Sequence, residues 1–258
     1  MLAKKSDGAQ SIHRAIELLR LIAREGRRGA RLTPLARASE LSLPTARRIL
    51  KSLMDDGMVV QTEHPRKYEL GPLIAELALL EPFNSQLIGQ WRPVLTRICE
   101  KSGCTTVLVK RSYLDTIIVD RVDSKSYLRA VTFDVGQRYP LGIGAISLAV
   151  LASQPNEELA RILELNSHQY RKYEDIGVQR VRTQVNRTRR EGYAFSKVRR
   201  LPGVCSMGVA IPNPTGSPTL GIGIAVSGMH IEPARREHLA KLLKREVALA
   251  ENARTRSL

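Results

Sequence analysis

One run of local patterns constrains the fold most strongly. It consists of a short helix, a tight turn and a basic helix, followed directly by a hairpin pattern. The basic helix is predicted over Leu43 to Asp56, and Gly57 stops it. Its apolar residues recur at the i, i+3, i+4, i+7 spacing, which predicts one buried face; they are Ala46, Ile49, Leu50 and Leu53. The opposite face is polar and basic; it carries Thr45, Arg47, Arg48, Lys51 and Ser52.

Two helices are predicted before the basic helix. The first is expected from a cap at Ser11 to a stop at Gly26, with apolar residues at helical spacing that include Ile12 and Ile16. The second is short and ends at Ser39. Thr33 is its expected N-cap, Pro34 its first residue, and Leu35 and Ala38 its buried side chains. Residues 40 to 42 form the expected turn.

The hairpin pattern begins after Gly57, with the apolar run MVVQ, the turn residues EHPR and the run KYEL before Gly71. We interpret it as the wing of a winged helix-turn-helix. Arg66 and Lys67 are expected at its tip, with His64, where they can reach the DNA backbone or the minor groove.

This order of elements predicts DNA binding. A guanidinium can pair bidentately with guanine, while hydroxyls and ammonium groups contact phosphates. A single amphipathic helix with two arginines is usually a solvated surface helix, so the prediction depends on the whole set of elements. The DNA-contacting residues that we predict are Thr33, Thr45, Arg47, Arg48, Lys51, Arg66 and Lys67.

The formal net charge of +16 also favours a polyanionic partner. Residues 1 to 71 carry a net charge of +6 and residues 72 to 258 carry +10. The positive charge is therefore not confined to the predicted DNA-binding segment, and charge alone does not locate the DNA site. A basic but inert surface is the alternative interpretation.

The remainder of the chain predicts a larger α/β region. Residues 72 to 83 have helical apolar spacing and no flexible Gly/Ser tract, which indicates a stiff connecting helix that could also make a dimer contact. A helix is expected over residues 84 to 102. Strands are expected at 105 to 111, 115 to 122, 128 to 133, 204 to 211 and 220 to 227, and helices at 145 to 152, 155 to 163, 178 to 191 and 231 to 252.

A possible ligand site lies where PLGIGAISLAVLA enters an apolar helix. Free N–H groups at a helix start favour a carboxylate or another anion near Gly144 and Ala145. The alternative is that Gly142 and Gly144 only make a tight turn. In GVCSMGVAIP, Cys205 and Ser206 fall on alternate faces of a strand, although a buried cysteine is more often a small core residue.

Neither a metal nor a cofactor is expected. The three cysteines form no disulfide framework, and neither CxxC nor HExxH spacing occurs. A cysteine-dependent hydrolase that uses Cys205 is an alternative function, but neither a GxSxG elbow nor a Cys-His signature supports it. No signal peptide and no membrane-length apolar stretch is found, so we expect a cytoplasmic protein.

Several segments resemble the IclR family of bacterial transcription regulators, and they span nearly the whole chain. They are QSIHRAIELLRLIA, LTPLARASELSLPTARRILKSLMDDGMVV, KYELGP, VDRVDSKSYLR, VGQRYPLGIGAISLAVLA, RREGYAF, LPGVCSMGVAIP and IGIAVSG. The resemblance implies an α+β protein. The architecture implied by the resemblance is a winged helix-turn-helix over residues 1–71, a connecting helix over 72–83 and a GAF-like α/β effector-binding domain with an antiparallel sheet over 84–258.

The family resemblance also implies functional partners. Family members act as dimers or dimers of dimers on operators, either as repressors or as activators. Thr45, Arg47 and Arg48 fall where the family's recognition helix meets DNA. The effector-binding set that we predict, from the residues and from the resemblance together, comprises Gly144, Ala145, Ile146, Ser196, Cys205, Ser206 and Ser227.

The chain departs from the family pattern at three positions. Gly142 replaces the usual histidine, Ser196 replaces a commonly acidic residue, and Ser206 occupies the place of the usual cysteine, which is displaced to Cys205. These changes speak against a metal and predict a roomier, less polar pocket that takes an organic acid with an apolar or aromatic body. A DNA-binding protein without an effector is the alternative.

Overall fold

The computed structural model describes residues 7–62, 66–79, 82–124, 133–174, 176–197, 203–213, 216–227 and 231–255. The chain divides into two compact units, Met1–Phe83 and Asn84–Leu258. The first unit holds a helix-turn-helix with a hairpin, and the second holds an antiparallel sheet with helices, which confirms the predicted α+β class. No helix in these ranges is long and apolar enough to cross a membrane.

Three helices form the first unit's framework: α1 (Asp7–Glu25), α2 (Leu32–Ala38) and α3 (Leu43–Asp55). A 3-10 turn over Gly26–Arg28 follows α1. Their apolar faces meet in one core with the hairpin. The buried residues of this core include Leu18, Ile22, Leu35, Leu50, Leu53, Val59 and Tyr68.

Helix α1 differs from its prediction in its start and in its buried face. It begins at Asp7 instead of Ser11, and Ile12 and Ile16 are 61% and 39% exposed. The core instead receives Leu18, Leu21 and Ile22. The helix carries apolar residues on two adjacent faces, and periodicity alone does not decide which of two such faces is packed.

Helix α2 also starts earlier than predicted. Arg31 occupies the N-cap position, so Thr33 lies inside the first turn instead of capping the helix. Leu35 is buried as expected, but its buried companion is Ala36, whereas Ala38 is exposed. Proline is compatible with a first helical turn, where its missing N–H would have no intrahelical acceptor. Pro34 therefore marks the first turn without fixing its first residue.

The wing consists of β1 (Val59–Thr62) and β2 (Lys67–Leu70), which pair antiparallel with Val59 opposite Leu70. An unpredicted third segment joins them, because Ala30 and Tyr68 exchange backbone hydrogen bonds of 2.9 and 2.7 Å. His64 lies outside the described residues.

The predicted connecting helix is shorter than expected. Helix α4 spans Pro72–Leu79, while Pro82 and Phe83 already belong to α5, which spans Pro82–Ser102. Residues 80 and 81 lie outside the described ranges. Because a proline disfavours helical backbone at the residue before it, Pro82 is suited to start a helix and poorly suited to continue one.

In the described part of the second unit, six strands form a sheet in the order β5-β4-β3-β8-β7-β6, with every neighbouring pair antiparallel. They are β3 (Thr105–Ser112), β4 (Asp115–Val122), β5 (Arg138–Pro140), β6 (Ala194–Lys197), β7 (Val204–Ile211) and β8 (Leu220–Ser227). The strand predicted at 128–133 lies outside the described residues, except for Phe133, which is not in a strand.

Helices cover the two faces of this sheet. They are α5 and α6 (Ala145–Ala152), α7 (Asn156–Leu165), α8 (Ser167–Glu174), α9 (Val178–Glu191) and α10 (Pro233–Thr255). One core includes Val107, Ile146, Leu151 and Val181 from β3, α6 and α9. A second core, on the other face, includes residues of α5, β7 and α10, and Trp91, Met207 and Leu243 are among them.

Candidate DNA interface and ligand site

A local hydrogen-bond arrangement fixes the start of the basic helix α3. Ser42 is the N-cap residue, and its Oγ accepts a 3.4 Å hydrogen bond from the Thr45 backbone N–H. The two hydroxyl oxygens, Ser42 Oγ and Thr45 Oγ1, are 2.8 Å apart and share a second hydrogen bond. Such a cap stabilises a helix by about 1 kcal/mol. Thr45 is therefore held in place at the first turn.

The two faces of α3 have the predicted character. Ala46, Leu50 and Leu53 are buried, whereas Arg47, Arg48 and Lys51 are exposed. Among the described residues, none of these three cations takes part in an ion pair. Their charges are therefore available to an anionic partner. A row of exposed guanidinium and ammonium groups on one helix can contact both guanine edges and phosphates.

The flanking residues predicted to contact DNA have different environments. Thr33 and Arg66 are exposed, in the first turn of α2 and at the turn before β2. Lys67 is half-buried, and its Nζ donates a 2.5 Å hydrogen bond to the Arg28 carbonyl. Lys67 lies at the tip of the wing as predicted, where it begins β2 opposite Thr62, and its contact with DNA stays a prediction. Its ammonium group links β2 to the loop after α1.

In the second unit, three hydroxyl side chains lie in one row across the sheet. Ser206 on β7 is paired with Ser196 on β6 and with Ala225 on β8, and Ala225 is paired with Thr105 on β3. Directly paired residues of an antiparallel sheet present their side chains on the same face. Thr105 was not predicted, because strand pairing between distant segments cannot be read from one sequence.

Helix α6 begins next to this hydroxyl row. Ala145 is its first residue, and its backbone N–H donates a 3.4 Å hydrogen bond to Ser206 Oγ. The structure therefore brings Ala145 and Ser206 together, and it places Gly144 at the N-cap and Ser196 beside Ser206. Backbone N–H groups at a helix start and neighbouring hydroxyls form a donor set suited to a carboxylate.

Cys205 is not part of this cluster. It lies on the opposite face of β7, in the core with Trp91 and Leu243, and is 1% exposed. Burial raises the pKa of its thiol, although the charge of Lys197 acts in the opposite direction. A buried, protonated thiol is a poor nucleophile. The inclusion of Cys205 in the ligand site was wrong, because alternate strand residues face opposite sides of the sheet.

The space expected at Gly142 is already filled. A Cβ atom added there would lie 2.8 Å from Leu151 Cδ2 and 3.3 Å from the Tyr170 hydroxyl, and the backbone φ is +107°. The Tyr170 hydroxyl donates a 2.8 Å hydrogen bond to the carbonyl of Leu141. The absence of a side chain at Gly142 therefore permits close packing and does not enlarge a pocket.

Ile146 also serves packing. Three glycines lie beneath it on the sheet, Gly208, Gly221 and Gly223, and a Cβ on any of them would come within 3.0 Å of Ile146. The helix therefore approaches the strands closely at this point. Ile146 is 8% exposed, so the structure gives it a structural contact and little surface for a ligand.

Ser227, also predicted to bind the effector, is the last residue of β8, and its backbone lies opposite Val204 of β7. A small groove of about 60 Å³ lies between α6, α9 and β6, at a place that the sequence did not indicate. Its walls include Leu148, Tyr193, Phe195 and the ion pair of Arg187 with Glu191. No cluster of metal-ligating side chains occurs among the residues that the structure describes.

The sequence matches two family models. Residues 11–63 match the IclR helix-turn-helix domain, and residues 83–250 match the C-terminal domain of the bacterial transcriptional regulator IclR. A curated relative, the HTH-type transcriptional regulator Rv1719 of Mycobacterium tuberculosis, is 30% identical over 211 residues. The matched region covers 80% of this chain and 78% of the relative.

Solved structures have the same fold. An IclR family transcriptional regulator from Brucella abortus superposes with a TM-score of 0.77 at 18% identity, over 98% of this chain and 96% of that one. An IclR homolog from Microbacterium hydrocarbonoxydans, solved in complex with 4-hydroxybenzoate, has a TM-score of 0.64 at 16% identity, over 94% and 98%. Both family models together span most of the sequence, and this chain belongs to the IclR family of transcriptional regulators.

Proposed function

We propose that this regulator binds a specific operator through α3 and that an organic acid bound in its second unit modulates the binding. The observation that carries the DNA-binding part is the face of α3, where Arg47, Arg48 and Lys51 are exposed without ion pairs among the described residues. Ser42 and Thr45 fix the start of that helix. A major-groove reader requires such a rigid, cationic helix face.

The test is operator binding by Arg47→Ala and Arg48→Ala variants, with the operator selected from random DNA by the parental protein. A residue that pairs with a base should cost about 1 to 3 kcal/mol, or roughly 5- to 150-fold in affinity, and should relax specificity at one position. A residue that contacts phosphate should weaken all sequences alike.

Arg20→Ala is the matched control, because Arg20 lies on α1 in the same unit and contacts Glu17. The Arg47→Ala and Arg48→Ala variants should unfold at the parental temperature, since both arginines are exposed and Leu50 and Leu53 are buried on the other face of the helix. Unchanged operator affinity in both target variants would disprove the assignment of α3.

We also propose that the operator-binding form is at least a dimer. The first unit exposes apolar side chains that include Ile12, Ile16 and Leu77, on α1 and α4. A second copy of the chain is an occupant that would cover them. One small winged helix makes too few DNA contacts for the usual specific affinity, and a two-fold axis doubles them. The operator should then be a pseudo-palindrome.

For the effector, the support is the hydroxyl row beside the start of α6. Ser206 Oγ is already within 3.4 Å of the Ala145 N–H, and the half-buried Ser196 is its strand partner. A carboxylate could accept hydrogen bonds from this set. The relative from Microbacterium hydrocarbonoxydans binds 4-hydroxybenzoate, an acid with an aromatic body. Because the space around Gly142 is filled, the structure does not support the roomier pocket that the sequence predicted. The proposed effector is therefore an organic acid without a stated size.

A ligand screen followed by Ser206→Ala tests the effector proposal. We expect an aromatic or aliphatic carboxylic acid to raise the thermal unfolding temperature and to change operator affinity. Removing the Ser206 hydroxyl should weaken that response by about 2- to 10-fold, the effect of one lost hydrogen bond. Ser153→Ala is the control, because Ser153 is exposed at the other end of α6, where its hydroxyl donates a hydrogen bond to the Ala149 carbonyl. An equal response from parental protein and Ser206→Ala would contradict the site.

A further inference from the structure

Helix α9 of the second unit has an unusually one-sided charge. Five of its fourteen residues are arginines, and Glu191 is its single acidic residue. Val181, Val185 and Thr188 are buried, so the outer face is set by the remaining residues. The outer residues are all exposed: Gln179, Arg180, Arg182, Thr183, Asn186, Arg187 and Arg190. This outer face has many hydrogen-bond donors, and the one carboxylate of the helix, Glu191 at its last position, is paired with Arg187.

Two of the five arginines have structural contacts. Arg189 donates hydrogen bonds of 2.7 Å to the carbonyls of Ala152 and Gln154, near the end of α6. Arg187 pairs with Glu191 at 2.7 Å. For the side chains of Arg180, Arg182 and Arg190, the described residues provide neither an ion pair nor a hydrogen bond. These three positive charges therefore remain available to a partner.

Helix stability does not account for these three charges. Cations are favourable near the end of a helix and unfavourable near its start, where the N–H groups carry partial positive charge. Arg190 lies in the last turn, but Arg180 lies in the first turn, which contains no acidic residue, and Arg182 follows it closely. Placing cations at this end costs helix stability, as expected for residues that serve a binding function.

We propose that the outer face of α9 is a second nucleic-acid contact, which binds phosphates of the DNA that flanks the operator. Arginine suits this role, because its planar guanidinium group donates two parallel hydrogen bonds to one phosphate. Gln179, Thr183 and Asn186 lie between the arginines and can donate further hydrogen bonds to phosphate oxygens. Such contacts carry no base specificity, so they would extend the footprint without defining the operator. The inference rests on the proposed DNA-binding function.

The test uses the full-length chain with Arg180→Gln, Arg182→Gln and Arg190→Gln combined. Its matched control combines Arg235→Gln, Lys241→Gln and Arg245→Gln on α10, which removes the same positive charge from exposed positions elsewhere. Both variants, and the parental protein, are titrated at several salt concentrations with two DNA fragments. One fragment contains only the operator, and the other adds flanking DNA on both sides.

On the long fragment, the slope of log K against log[salt] should be shallower for the α9 variant than for the parental protein. The expected difference is about 0.9 for each lost phosphate contact, or up to about 2.7 for three contacts. On the operator-only fragment, it should match the parental protein, and the α10 control should match on both. Parental behaviour of the α9 variant on long DNA, or an equal loss in the α10 control, would overturn the proposal. Reduced transcription with unchanged DNA binding would indicate an acidic protein partner and would equally overturn it. Failure of operator recognition itself is detected separately, by the Arg47 and Arg48 variants.

Discussion

At the scale of single residues, Arg47, Arg48 and Lys51 are exposed on α3 because Leu50 and Leu53 anchor the opposite face in the core. Helical spacing predicts this exposure. At Gly142, the sequence predicts free space that the structure does not contain. A small residue in a loop suggests free space, but the neighbours that fill the space come from α6, α8 and α9, and no local pattern identifies them.

Substituting Gly142 tests this correction. Gly142→Ala should lower the free energy of unfolding by about 2 to 4 kcal/mol, because the new Cβ meets Leu151 and the backbone φ of +107° is unfavourable for any L side chain. Gly136→Ala is the matched control. Its φ is +90° but no atom lies within 4 Å of the added Cβ, so it should cost about 1 kcal/mol. Urea unfolding measures both, and equal losses would show that Gly142 is not packed as described.

At the scale of elements, the strands and helices with a clear hydrophobic periodicity were predictable, whereas short or almost entirely polar elements were not. The strands Val204–Ile211 and Leu220–Ser227 and the helices Ala145–Ala152 and Val178–Glu191 have the predicted bounds. Helix α8 was missed because SHQYRKYE is almost entirely polar. The edge strands β5 and β6 are three and four residues long, too short for alternation to be recognised.

A prediction at this scale concerns the attachment of α7 to the sheet. The Glu158 carboxylate of α7 accepts hydrogen bonds from Arg161 of the same helix and from Arg111 of β3. These bonds, chiefly the one from Arg161, lower the pKa of the Glu158 carboxyl to about 2. A lowered carboxyl pKa contributes stability above the unfolded-state value near 4.5, and that contribution is lost as the pH falls towards 2.

The free energy of unfolding of the parental protein should therefore exceed that of Glu158→Gln by about 1 to 3 kcal/mol at neutral pH. The difference should shrink as the pH falls from about 5 to about 2. Glu157→Gln, an exposed neighbour on the same helix, serves as the control and should show a smaller difference. A gap between the parental protein and Glu158→Gln that is independent of pH would contradict the lowered pKa of the Glu158 carboxyl.

At the scale of the whole molecule, the order of elements was predictable and the assembly of the ligand site was not. The helix-turn-helix is local in sequence, so helical periodicity and turn residues were sufficient to predict it, although the caps predicted at Ser11 and Thr33 were wrong. The hydroxyl row joins Thr105, Ser196 and Ser206, which are brought together only by the strand order β3-β8-β7-β6. The positive charge of residues 72 to 258 likewise could not be assigned to a surface from the sequence, because only the fold shows that α9 exposes its arginines.

Footprinting with the 258-residue chain shows whether α3 reads a two-fold operator as part of a dimer. We predict protection of two inverted half-sites whose centres lie about one helical turn, or a small multiple of it, apart. Protection should be lost in the Arg47→Ala, Arg48→Ala double variant at protein concentrations that saturate the parental complex. A monomer that protects one isolated half-site, or a double variant that protects the same two half-sites with parental affinity, would contradict the account.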